Sequence, residues 1–101
     1  MQIIINDHFL GEVAKGTYHG KLPFPNEVLT GFKRRLAQMK DMRNTQDLRN
    51  LKSLHFEKLK EKRYDGKYSI RINKAYSIIF GIDKEGGLEI VEIDEINKHY
   101  S

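Results

Sequence analysis

Residues 68–82 read YSIRINKAYSIIFGI. Apolar and polar residues alternate on both sides of a short polar break, which is the period of two strands joined by a hairpin. With Asn73, Lys74 and Ala75 as the loop, Ile72 lies opposite Tyr76, Ile70 opposite Ile78 and Tyr68 opposite Phe80. These pairs make one apolar face. The other face sets Arg71 opposite Ser77 and Ser69 opposite Ile79. Slipping by one residue would place Ile70 against Ser77, so the pattern itself selects the register. Arg71 is then central on the polar face. Two readings of it are open: a side chain that snorkels to solvent over the sheet, or a planar fork of donors that clamps a phosphate.

Downstream, Leu88–Ile93 is a further strand, and the intervening DKEGG suits a second antiparallel hairpin. Upstream, Met1–Ile5 is a short β-branched run that reads as a strand. Asp7 can cap a helix over His8–Lys15, and GTYHGKLPFP (16–25) is a loop. A helix begins at Pro25–Asn26, with Val28, Leu29, Phe32, Leu36 and Met39 on one stripe. Lys33, Arg34, Lys40 and Arg43 lie off it. Asn44 or Thr45 caps another turn through Leu48. LKSLHFEKL (51–59) stays open between helix end and strand. Helices first and strands later predict an α+β fold: one antiparallel sheet with two or three N-terminal helices packed on one face. The length, 101 residues, predicts a single domain over 1–101.

There is no cysteine, which excludes disulfides and cysteine-ligated zinc. The histidines at 8, 19, 55 and 99 form no metal-binding pair, so neither metal nor other cofactor is expected. No apolar run reaches membrane-spanning length and no signal peptide is visible, which predicts a cytoplasmic protein with no membrane partner. Net charge is +4, unevenly spread: residues 33–74 carry +9, residues 1–32 carry −1 and residues 75–101 carry −4. A basic middle between neutral and acidic ends suits a polyanion.

The candidate nucleic-acid contacts are Lys58, Lys60, Lys62 and Arg63 in the run EKLKEKR, together with Lys74 in the hairpin loop. Lys58 and Lys60, two apart, would share a face if that segment is a strand. The plain alternative is a solvated lysine-rich loop. His55 and His99 are candidate acid–base groups because imidazole titrates near neutrality. Tyr100 can stack on a base or donate a proton; a frayed terminus without a role is the competing reading.

Leu59-Lys60-Glu61, Tyr68-Ser69-Ile70-Arg71-Ile72-Asn73 and Tyr76-Ser77-Ile78-Ile79-Phe80, in that order, resemble the RelE superfamily of bacterial toxins, and the HigB branch most. The match runs from about Leu48 to the end of the chain. The resemblance implies a ribosome-dependent mRNA endoribonuclease that uses the RNA 2′-hydroxyl without metal. It also implies a neutralising antitoxin, a HigA-like helix-turn-helix protein, with the ribosome and mRNA as the other partners. A non-catalytic RNA- or ribosome-binding module, or a partner whose main work is binding the antitoxin, is the alternative.

One departure stands out. Members of the branch carry arginine where this chain has Ser77. In the register above, that arginine would stand beside Arg71, a like-charge pair that is destabilising unless an anion sits between. Ser77 therefore implies an attenuated toxin, and Ser77→Arg is expected to raise toxicity. Lysines of the basic run and Arg71 are expected to converge on one pocket.

Overall fold

The computed structural model describes residues 1–21 and 23–98. Local signals set the helices. The Asp7 carboxylate accepts from the Leu10 amide at 2.9 Å and starts α1, His8–Lys15. Gly16, at φ 74°, ends it by turning its N–H back to the Glu12 and Val13 carbonyls. Helix α2, Asn26–Asp41, follows Pro25 and buries Val28, Phe32, Leu36 and Met39. Asn44 caps α3, Thr45–Asn50, by accepting from the Gln46 amide at 3.0 Å.

The open segment resolves into a 3-10 turn over Lys52–Leu54 and then a two-residue strand, β2, Glu57–Lys58. Leu54 plugs the core and Phe56 stacks on Tyr68, with ring centroids 5.5 Å apart. That packing explains why the segment shows no period of its own.

The other strands are β1 (Gln2–Ile5), β3 (Tyr68–Arg71), β4 (Tyr76–Glu85) and β5 (Leu88–Lys98), and the sheet order is β1-β5-β4-β3-β2. The hairpin register is the one the alternation predicts: Tyr68 pairs with Phe80, Ser69 with Ile79, Ile70 with Ile78 and Arg71 with Ser77. The Asn73 side chain closes the turn by accepting from the Ala75 and Tyr76 amides at 2.8 and 2.9 Å. Neighbouring strands from β2 to β5 pair antiparallel, whereas β1 joins the far edge parallel to β5. A strand that meets its neighbour only after the chain has crossed the fold is free of hairpin geometry.

Two strands run further than the pattern suggests. Gly86 and Gly87, at φ 58° and 83°, make a two-residue turn, so Asp83–Glu85 belong to β4 rather than to a loop. In β5 the register shifts opposite Ile79/Phe80, and Asp94 is the extra residue of a β-bulge. The bulge absorbs the break in alternation after Ile93 and lets the strand continue to Lys98.

The helices pack on one face of the sheet, where Phe32, Met39, Leu48, Leu54, Ile70, Ile78, Phe80 and Ile93 lose all or nearly all contact with water. The second face is crossed by the segment after β2. Its Leu59 amide donates to the Lys67 carbonyl at 2.9 Å, Lys67 pairs with Asp94 at 2.7 Å, and Tyr64 accepts from Asn97 Nδ2 at 2.6 Å. Among the described residues no helix is long and apolar enough to cross a membrane.

Candidate functional site

Arg71 ends β3 on the side of the sheet away from the helices. β2 stops at Glu57, opposite Ser69, so β3 has no outer neighbour beside Arg71. Continuing that register by two residues would set His55 beside Arg71, and both do line one pocket of about 200 Å³. Arg35, Ser53, Ile72, Asn73 and Lys74 complete it, and none of these lining residues is acidic. Small-molecule sites usually enclose roughly 300–1,000 Å³. This pocket suits a phosphate and its immediate neighbours better than a whole buried ligand. Arg71, Lys74 and His55 are exposed, and among the described residues no ion pair occupies the Arg71 guanidinium or the Lys74 ammonium.

His55 has φ 49° and is the one described non-glycine residue with positive φ. Such a conformation costs on the order of 1–3 kcal/mol. It is imposed from both sides: Leu54 is buried in the core, and Phe56 lies between the Tyr68 ring and the Arg49 guanidinium, 4.8 Å from the ring centre. The turn at His55 delivers its side chain to the pocket.

Arg35 reaches the pocket from α2. Its Nε donates to the Arg71 carbonyl at 2.9 Å, Nη1 to Gln38 Oε1 at 2.8 Å, and Nη2 to the Ile72 carbonyl at 3.5 Å. Burial, and then the neighbouring Arg34 charge, lower its pKa; an arginine stays protonated regardless. Nothing in the basic pattern of α2 distinguishes Arg35 from Lys33 or Arg34. The available signal was Gly31, one turn earlier in the middle of a helix. A Cβ there would lie 2.6 Å from Ile72 Cγ2, so glycine is what lets α2 approach the hairpin.

The other expected residues are dispersed. Lys58 pairs with Tyr68 and so shares the side of the sheet opposite to Arg71. Lys60 and Lys62 are exposed on the segment that crosses the second face, and β2 does not extend far enough for Lys58 and Lys60 to share a strand. Arg63 pairs with Glu61 at 3.3 Å and stacks on the Tyr64 ring at 4.7 Å. It belongs to a different pocket, of about 220 Å³, with Leu59, Tyr64, Asn97 and Lys98. There, burial and then Glu95 push the Tyr64 hydroxyl pKa up. The expected convergence of the basic run with Arg71 is therefore not what the fold produces: the pocket cations come from α2, the end of β3 and the turn.

Ser77 has 0 % exposure, between Arg71 on β3 and Asn97 on β5. It does not stand on an open polar face. His99 and Tyr100 lie outside the described residues. Lys98, the residue before them, pairs with Tyr76 at the end of the sheet where Arg71 and Lys74 lie. A larger cavity of about 420 Å³, between the end of α1 and the start of α2, is lined by Tyr18, Lys21, Phe24 and Lys33 among others and contains none of the candidate residues. Among the described residues no cluster of His, Asp or Glu is arranged to hold a metal ion.

Comparison with known proteins agrees with this architecture. A structure described as "YoeB/ParE toxin from Agrobacterium tumefaciens" superposes with a TM-score of 0.57, covering 99% of this chain and 100% of that one at 13% identity. The fold is thus that of the RelE-like toxins. The sequence profile for the HigB-like toxin, described as "RelE-like toxin of type II toxin-antitoxin system HigB", matches residues 14–95. The chain belongs to that family: it is the toxin of a type II toxin–antitoxin system, from a family whose members are generally ribonucleases, and an antitoxin is its implied partner. None of the curated proteins matches it.

Proposed function

We propose that this toxin is a ribosome-dependent endoribonuclease that cleaves mRNA by attack of a 2′-hydroxyl on the adjacent phosphorus. One base removes the 2′-proton, the P–O bond to the 5′-oxygen breaks, and one acid protonates the leaving oxygen. Arg71 stabilises the charge that grows on the phosphoryl oxygens. Lys74 holds the neighbouring backbone, and Lys58, Lys60, Lys62 and Arg63 contact ribosomal RNA or mRNA from the adjoining surfaces. His55 is one proton carrier, and His99 or Tyr100 supplies the other. The ribosome positions the message, so the protein's own set is small. The activity is cytoplasmic, and a HigA-like helix-turn-helix antitoxin restrains it.

The observation that carries this reading is the pocket in which His55, Arg71 and Lys74 meet with no acidic residue in its lining. It is tested by inducing the chain in cells and mapping mRNA 5′ ends by primer extension, beside Arg71→Ala. New codon-phased ends with the parent chain, reduced at least about a hundredfold in the variant, are expected. Growth arrest without new ends would instead identify a non-catalytic ribosome-binding module. Ser77, in the place of the branch's arginine, gives that second reading its support and implies a lowered rate under the first.

A further inference from the structure

We propose that Arg35 is the positioning residue of the site: it takes the place of the missing end of β2 and so holds Arg71 in its working orientation. This rests on reading the pocket as the nuclease site, but the geometry behind it is independent of that reading. In an antiparallel ladder, residues alternate between exchanging hydrogen bonds with one neighbour and facing away from it. The Ile72 amide donates to the Tyr76 carbonyl at 2.9 Å, so Ile72 faces β4. Arg71, one residue earlier, turns its own carbonyl outward to the β2 side. β2 has already ended there, with Glu57 opposite Ser69. An exposed strand-edge carbonyl can be solvated by water, which leaves the strand end unfixed; a protein donor pins it in one place. Arg35 Nε supplies the partner at 2.9 Å, and Nη2 reaches the Ile72 carbonyl at 3.5 Å.

The fork is itself held. Gln38, one turn along α2, accepts from Nη1 at 2.8 Å, and Gly31, one turn back, lets the helix sit against Ile72. Three of the five guanidinium N–H bonds are thus spent on protein acceptors. Arg35 is consequently a poor ligand for substrate and a good brace for the backbone of Arg71. A lysine in its place would keep the charge and lose the planar fork.

The test uses inorganic phosphate as the probe on the full chain, following the backbone amide NMR resonances of Ile72, Asn73 and Lys74, which line the pocket in every variant, below the melting temperature of each protein. The parent, Arg35→Lys, Arg35→Met and Arg71→Lys are compared, and in-cell mRNA cleavage is measured in parallel. For folded Arg35→Lys and Arg35→Met, phosphate affinity is expected to fall about tenfold, as for one charge-assisted hydrogen bond. Cleavage should fall by at least as much. Arg35→Lys failing alongside Arg35→Met separates the fork from the charge. Phosphate binding that is unchanged in both Arg35 variants while Arg71→Lys loses it overturns the inference. Where the parent does cleave mRNA, cleavage at the parent rate in Arg35→Met overturns it as well. If the parent binds phosphate in an Arg35-dependent manner yet cleaves no mRNA, the nuclease reading fails and the positioning role stands.

Discussion

His55 shows how a strained residue can be brought into a candidate site. Its positive φ is enforced by Leu54 and Phe56, which are anchored on either side. Replacing it with glycine removes the strain and the imidazole together. His55→Gly is expected to stabilise the chain by about 1 kcal/mol, raising Tm by roughly 4–8 °C, while in-cell cleavage falls. Thermal unfolding followed by circular dichroism, with primer extension alongside, reads both. Ser77 leads to a different expectation. Because it is fully buried, Ser77→Arg must displace neighbouring atoms to reach the pocket. A Tm lower by about 10 °C is expected from burying a charge. The gain in cleavage that the family pattern implies should be visible per folded molecule, in a translation extract with the folded fraction measured. Neither the strain nor the burial could be read beforehand: the first comes from packing of neighbouring residues, and the second from a segment folded over the sheet.

At the level of elements, what is local was legible. Asp7, Asn44 and Gly16 do what their types suggest at helix ends, and the apolar stripe of α2 faces the core. The Tyr68–Ile82 alternation determined its register because a slip would invert a buried face. What depends on two elements meeting was not legible. Gly31 matters only because Ile72 lies against it, 41 residues later in the chain. Gly31→Ala gains up to about 1 kcal/mol of helix propensity, yet drives a methyl group to 2.6 Å from Ile72 Cγ2. Overpacking of this kind costs typically 1–3 kcal/mol, so the net expectation is a lower Tm. A melt of the purified variant that matches or exceeds the parent would contradict it.

A second junction of elements is sensitive to acid. Glu89 on β5 accepts from the Thr45 backbone amide at 2.9 Å and from its hydroxyl at 2.9 Å, tying the start of α3 to the sheet. Those bonds, the backbone one first, lower the Glu89 pKa against the opposing effect of burial. The stabilisation is therefore present above the usual glutamate pKa of about 4.3 and disappears as pH falls through the lower folded value. Tm of the parent should decline more steeply than that of Glu89→Gln below about pH 4.3. Parallel slopes would remove the link.

For the whole molecule, the uneven charge was the sequence's most accessible functional clue, and the location of the cations was its least. The +9 of residues 33–74 is distributed over α2, the edge at β2, the segment crossing the second face and the hairpin turn. Composition cannot tell which of these share a surface. Single-stranded RNA binding should be strongly salt-dependent if several of these cations are engaged. Three phosphate contacts give a log–log slope of about −2, hence roughly a tenfold or greater loss between 50 and 200 mM salt. Fluorescence anisotropy with a short unstructured RNA measures that slope, and a flat response would count against a polyanion ligand.

The bulge at Asp94 also says where the length of this chain can vary. Glu95 already lies opposite Ile79, and Ile93 opposite Phe80. A chain lacking Asp94 would run straight from one pair to the next with its inner and outer side chains unchanged, giving up the bond to Lys67. Loss of a residue from within Ile90–Ile93 would instead turn one end of the strand inside out. Natural relatives with a one-residue gap in β5 should therefore carry it at the bulge, and an engineered deletion there should still fold.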